Sequence, residues 1–504
     1  MRTLLLLSAA TCLLCAQSKE AAGKAREWRA LHERAIIGEF SALLAIPNVA
    51  RNLEDMRRNA AHIRAMMDRR GIRNELLEAP GSPPAIYGEI LTPGATQTLV
   101  FYVHYDGQPV EPEQWKDAPP FQPVLRDKAL DAGGRVIPFG EKFDPESRLY
   151  ARSASDDKAP IIALLTALDA LRNANIPLRS NIKFFFDGEE EAGSPHLEQI
   201  IRANAAKLRG DVWIFCDGPV HQTRRQQVVF GVRGSTGVNL TVYGPKRELH
   251  SGHYGNWAPN PALMIARLVA SMRDEEGRIL IPGFYDDVEP LSDAEKKALA
   301  DLPDLDKDLK QELWLGRSEG GGKRLEELIN LPALNIRGLA AAGVDAQSRN
   351  VVPSHATVSI DIRLVKGMHH QRAIDKLVQH VRAQGYHITD REPDEAARMR
   401  YPKICKVTTR GSGYNAVKAP MDSPIARRIV EAVRAAHPNT LLMPTLGGSL
   451  PIAPIADELK TPVIIVPIAN HDNNQHAHNE NIRIRNLWDG IETMAALLVL
   501  RELR

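Results

Sequence analysis

Residues 181–194 read "NIKFFFDGEEEAGS", and the break in the middle of this stretch decides the fold. Ile182 and the triplet Phe184, Phe185 and Phe186 make a short continuous apolar run, which predicts the end of a buried strand. Asp187 and Gly188 stop the run, and Gly188 is expected to let the chain turn tightly. Glu189, Glu190 and Glu191 then follow at once, so acidic chemistry stands at the carboxyl end of a buried strand.

Three further runs have the same texture: "TLVFYV" (98–103), "DVWIF" (211–215) and "PVIIVPI" (462–468). Between the first run and 181–186 lies "APIIALLTALDALRNA" (159–174), in which Ile161, Leu164, Leu165 and Leu168 share one helical face. Apolar runs alternating with helical patterns predict an α/β fold, a mainly parallel sheet covered by helices. From Val232 the texture changes. "STGVNLTVYG" and "HATVSIDIRLV" alternate as strands, and "NPALMIARLVASM" and "HHQRAIDKLVQHVRA" read as helices, an inserted α+β (ferredoxin-like) module. Residues 274–332, rich in charge, Gly and Pro, read as an irregular insertion within it. The helix "SPIARRIVEAVRAA" returns to the first texture. The expected domains are therefore an α/β domain over 19–231 and 416–504, interrupted by a second domain over 232–415.

Composition narrows the partners. The chain has 504 residues, 43% hydrophobic and 25% charged, with 64 Lys plus Arg against 62 Asp plus Glu. A net charge of +2 exerts no long-range pull on nucleic acid or an anionic membrane, so a small-molecule or peptide partner is expected. The first 18 residues, with an early Arg and an apolar run from Leu4 to Leu14, read as a signal peptide cleaved after Ala16 or Ser18. That run falls short of the ~20 apolar residues of a spanning helix. Residues 1–18 thus predict an exported, periplasmic or secreted protein; a lipid anchor at Cys12 or Cys15 is the weaker alternative, because neither is preceded by a convincing lipobox. Only Cys216 and Cys405 remain beyond the leader, so disulfides are not the framework.

In open α/β sheets ligands bind beyond the carboxyl ends of the strands. The four runs are followed by "HYD" (104–106), "DGEEE" (187–191), "CDG" (216–218) and "ANHDNNQHAHNEN" (469–481), and "RSASDDK" (152–158) opens the helix near Ala159. One polar residue at a strand end is ordinary capping, but here every end carries His, Asp or Glu. With no thiolate among them, imidazole and carboxylate donors suit zinc or a similar divalent ion. His104 and Asp106 are two apart and point the same way in extended backbone, so His104 is the expected ligand and Asp106 the carboxylate that orients it. Within "DGEEE" one carboxylate can bind metal while a neighbour serves as general base.

The segments "VHYDGQPV", "ARSASDDKAP", "FFFDGEEEAGSP", "IFCDG", "ELHSGHYGN", "RNVVPSHATVSIDIRLV", "TLGGSLP" and "HAHNENIRI" resemble, in order, those of the two-zinc metallopeptidases. That family includes carnosine dipeptidase, cytosolic nonspecific dipeptidase, acetylornithine deacetylase, succinyl-diaminopimelate desuccinylase and glutamate carboxypeptidase. The resemblance implies two Zn2+ ions per chain, with Mn2+ or Co2+ as alternatives. It implies His104 and Asp217 as ligands of one ion, Glu191 and His476 as ligands of the other, and Asp156 as the bridge. The family's bridging Asp stands two before the Lys of "SDDK", which selects Asp156 over Asp157. Its His stands three before the Asn of "HAHNEN", which selects His476 over His478. Glu190 becomes the base acting on a metal-bridging water.

The inserted module resembles the family's lid and dimerisation domain, which implies a homodimer. His250 would then help stabilise the oxyanion. Arg363, with Asn350, Gly448 and Ser449, would grip the substrate's carboxylate, because the guanidinium fork binds carboxylates bidentately. The sequence departs from carnosine dipeptidases at Thr445 and Leu446, where they carry Arg and Glu before "GGS". The expected activity is hydrolysis of an amide bond in dipeptides or short peptides with a free C-terminal carboxylate. Deacylation of N-acyl amino acids is the alternative on the same site, and a non-catalytic binding protein on the same fold is the remaining reading.

Overall fold

The structure, a computed structural model, describes residues 2–409, 411 and 413–501, and its side chains from Ala16 onward. The side chains of the expected leader therefore lie mostly outside the described residues, as do those of Cys12 and Cys15. The backbone there belongs to a helix, Arg2–Leu44. No helix among the described residues is long and apolar enough to cross a membrane.

The chain divides into two compact units. The first takes Met1–Gly231, Ala419–Pro444 and Pro454–Arg504; the second takes Val232–Lys418 and Thr445–Ala453. The short segment Thr445–Ala453 differs from the sequence reading, which placed it in the α/β domain of 416–504. It joins the second unit through long-range contacts: a bridge between Val232 and Leu446, and a hydrogen bond from Thr445 Oγ1 to Asn330 Oδ1 at 2.8 Å.

The first unit is built on an eight-stranded mixed sheet. Its centre is parallel: Thr98–His104 lies between Asn181–Asp187 and Val212–Phe215, and Val463–Ile465 runs beside Val212–Phe215. Antiparallel pairs lie toward the margins, where Arg73–Leu77 and Ala85–Ile90 form a hairpin on Asn181–Asp187. The Phe triplet is fully buried because both faces of this strand are covered. Phe184 and Phe186 stand 5.9 Å apart between ring centroids, while Phe185, projecting the other way, packs 5.5 Å from Trp213. Each such ring contributes roughly 1.5–3 kcal/mol by leaving water. Helix Lys158–Asn173 packs against Arg2–Leu44 and Ile484–Leu498. The expected strand at 462–468 is shorter than its apolar run, Val463–Ile465, since Pro462 and Pro467 cannot donate to the ladder.

The second unit has a five-stranded sheet, in the order Ala333–Ala340, His355–Leu364, Gly234–Tyr243, Ile404–Thr409, His387–Thr389. Helices Pro261–Ala270 and His370–Ala383 pack on it over one apolar core. The stretch read as irregular, 274–332, contains helices Asp293–Ala300, Asp306–Glu312 and Leu325–Ile329.

Candidate metal centre

Parallel register brings the reactive ends of three strands together. His104 pairs with Asp187 across one neighbour, and Tyr102 with Phe215 across the other. The residues just past these ends, 104–106, 187–191 and 216–217, therefore emerge side by side. Asp106 fastens two of them. Its Oδ1 accepts the Glu190 N–H and its Oδ2 the Glu191 N–H, both at 3.0 Å, while Oδ1 also lies 3.4 Å from His104 Nδ1. One buried carboxylate thus orients the imidazole and the acidic turn at once.

Asp156 ends a loop that leads into helix Lys158–Asn173. Its Oδ1 lies 2.9 Å from His104 Nε2, and its Oδ2 lies 3.2 Å from His476 Nε2. Asp217 Oδ2 is 3.7 Å from His104 Nε2, and Glu191 Oε2 is 3.3 Å from His476 Nε2. Potential ligand atoms gather in two groups, His104 with Asp157 and Asp217, and Asp156 with Glu191 and His476, each within 4.8 Å. Asp157 is the residue the sequence reading passed over. It is buried, its Oδ2 accepts the His104 N–H at 3.3 Å, and its Oδ1 has no hydrogen-bond partner. Its signal was the doubled Asp of "SDDK", from which the resemblance selected only the first.

His476 comes from the loop after strand Val463–Ile465, and its φ of +63° is one that L-residues seldom adopt. That loop is anchored through Asp472. The Arg148 and Arg483 guanidinium groups both donate to its carboxylate, and Arg483 Nη2 sits 2.9 Å from Oδ2. Glu480, a second residue sequence reading missed, closes the other side. It accepts from Arg152 Nη1 and Ser153 N at 2.9 Å and from Ser155 N, Ser155 Oγ and Asp156 N at 3.0 Å.

Charge tests whether cations fit. Six carboxylates, Asp106, Asp156, Asp157, Glu190, Glu191 and Asp217, face two imidazoles. Burial, reinforced by neighbouring carboxylates, pushes Asp217 up to about 7 and Glu191 up to about 8. Burial lifts Glu190 and Asp157 well above the carboxylate range. His104 is held up against its own burial by Asp106 and Asp156, and Asp156 holds His476 up to about 9. Protons are retained because negative charge is in excess, the condition a divalent cation relieves. Asp156 Oδ2 is buried without hydrogen-bond geometry to any donor, although His476 Nε2 is near. This oxygen and nitrogen converge with Glu191 in one candidate ligand group. These residues fit a dinuclear metal centre, and their nitrogen and oxygen donors suit zinc.

The remaining predicted residues lie in the second unit. Arg363, on strand His355–Leu364, donates from Nε to Asp361 Oδ2 at 2.9 Å and from Nη1 to Ser449 Oγ at 3.1 Å. Ser449 in turn donates to the Arg233 carbonyl at 3.1 Å. Gly448 is exposed, with open space where a Cβ would stand. His250 is exposed and opens a short turn; the following Ser251 N–H donates to the Asn350 carbonyl at 2.9 Å. Asn350 is thus beside His250, and Ser449 beside Arg363. Among the described residues no hydrogen bond links the two pairs.

Residues 100–499 match peptidase family M20/M25/M40. The chain is 26% identical over 425 residues to a Cys-Gly metallodipeptidase of Candida albicans, covering 82% of this chain and 81% of that protein. It is 26% identical over 427 residues to the human Beta-Ala-His dipeptidase, covering 83% and 77%. In structure it is similar to a family M20 metallo-carboxypeptidase of Sulfolobus solfataricus, with a TM-score of 0.74, 26% identity and coverage of 92% and 98%. Its fold also matches human carnosine dipeptidase 1, with a TM-score of 0.70, 22% identity and coverage of 95% and 98%. The relatives correct one expectation. The Cys-Gly metallodipeptidases of three yeasts are cytosolic enzymes, which contradicts the exported, periplasmic or secreted location read from residues 1–18.

Proposed function

This chain belongs to peptidase family M20/M25/M40, and we propose that it hydrolyses the amide bond of dipeptides or short peptides with a free C-terminal carboxylate. The observation that carries this reading is Asp156, whose two oxygens lie 2.9 and 3.2 Å from two different histidines. Relatives that act on Cys-Gly and Beta-Ala-His support a dipeptide over an N-acyl amino acid.

His104, Asp156, Asp217, Glu191 and His476 would hold two divalent ions, with Asp157 beside the first. When bound, two such ions polarise a carbonyl and acidify water at the site. Glu190 belongs to neither ligand group, and Asp106 fixes its backbone. It takes a proton from the attacking water and returns it to the leaving amine. Arg363 and Ser449 receive the substrate carboxylate, and Asn350 and His250 assist binding and oxyanion stabilisation. Homodimerisation through the second unit belongs to the same reading.

Glu190→Gln is the direct test. It removes the proton acceptor and leaves every ligand in place, so kcat falls at least about a hundredfold while metal analysis still finds two ions per chain. Undiminished turnover in that variant defeats the assignment.

A further inference from the structure

On the first unit a cavity of about 220 Å3 is lined by Glu111, Gln114, Trp115, Arg152, His476 and His478, among others. His476 makes it contiguous with the metal centre, because the same residue faces Asp156 and Glu191 through Nε2. The residues proposed to grip the carboxylate belong to the second unit. This cavity and the candidate ligands of the metal centre all belong to the first unit, where the cavity adjoins His476.

Glu111 is the one acid of the cavity's lining, beside Arg152, His476 and His478. Arg152 is buried and already neutralised, with Nη1 on Glu480 at 2.9 Å and its guanidinium 5.4 Å from the centre of the Trp115 ring. Glu111 accepts from Gln114 Nε2, and among the described residues no Lys, Arg or His pairs with its carboxylate. Beside the two imidazoles, and with the Trp115 ring already faced by Arg152, the wall thus offers the Glu111 carboxylate and an amide oxygen as acceptors for a small organic cation. Its volume lies below the roughly 300–1,000 Å3 of pockets for drug-sized ligands, enough for one residue.

Building on the dipeptidase reading, we propose that this cavity is the subsite for the N-terminal residue of the substrate, and that Glu111 recognises its free ammonium group. The enzyme then distinguishes an aminoacyl from a plain acyl group by charge.

Glycylleucine and N-acetylleucine test this, because they share the leaving amine and differ by a single ammonium. With the zinc-loaded enzyme, Glu111→Gln lowers the ratio of kcat/KM for glycylleucine over N-acetylleucine by about fivefold, the reach of an exposed ion pair. The loss falls on KM, and Glu111→Asp restores part of it. An unchanged ratio, or equal losses on both compounds, overturns the subsite. Calorimetric binding to Glu190→Gln, with and without Glu111→Gln, separates this from the hydrolytic assignment. Glycylleucine binding weakened by the second substitution, with N-acetylleucine binding unmoved, supports the subsite even where neither compound is cleaved. Equal binding to both variants refutes it.

Discussion

Among the described residues Glu480 accepts more hydrogen bonds than any of the candidate ligands. It is almost wholly buried, and five donors from Arg152, Ser153, Ser155 and Asp156 converge on it. Removing it leaves the buried Arg152 guanidinium unpaired and three backbone N–H groups unsatisfied, a loss of roughly 3–5 kcal/mol. Glu480→Ala therefore lowers the unfolding free energy by about that amount, measured by denaturant titration, and reduces bound metal because the Asp156 loop is freed. The sequence displayed Glu480 only as one acid in "HAHNEN"; its partners lie more than three hundred residues away and leave no local trace. Gly188 teaches the same lesson. The chain does bend there as read, but the φ of Gly188 is not in the left-handed region. A Cβ there would come within 2.7 Å of Tyr105 Oη and 3.0 Å of the Pro84 carbonyl, so close approach is what demands glycine. Asp187 and Glu189, left without roles by the sequence, are buried braces: Asp187 accepts from Ser194 Oγ and Tyr102 Oη, and Glu189 from the His196 N–H.

At the scale of elements, the loop 469–480 holds the candidate ligand His476 in an unfavourable backbone conformation, and Asp472 anchors that loop. Burial raises the Asp472 pKa, but Arg148, Asn470 and Arg483 override it and hold the carboxylate well below its usual range. A depressed folded-state value contributes stability that is fully present above the ordinary Asp pKa of about 3.9 and lost as pH falls through the depressed value. Thermal unfolding followed from pH 7 down to 3 should show Asp472→Asn with a lower Tm at neutrality and a shallower fall below about pH 4. Central strands were legible because burial on both faces writes continuous apolar runs. Strand Ala333–Ala340 was not, since most of it is exposed and "ALNIRGLA" lacks alternation. Helix Asp293–Ala300 did carry a local signal inside the supposed irregular stretch: Ser292 and Glu295 form a reciprocal capping box.

For the whole molecule, the excess of carboxylate at the centre makes metal part of stability as well as of chemistry. Chelation should lower Tm in scanning calorimetry and zinc should restore it, by about 4 kcal/mol in free energy at a thousandfold excess over Kd. A Tm indifferent to chelator would contradict the centre. The boundary near Gly231 was visible as a change of texture, whereas the return of Thr445–Ala453 to the second unit rests on contacts no short window contains. That discontinuity also sets an order of events on the ribosome. His104, Asp156, Glu191 and Asp217 are synthesised before the second unit begins, and His476 only after it ends. At ordinary translation rates the interval is on the order of tens of seconds. Throughout it, the nascent chain holds one of the two candidate imidazoles, so on the proposed assignment the second ion site is completed only once the loop carrying His476 has emerged.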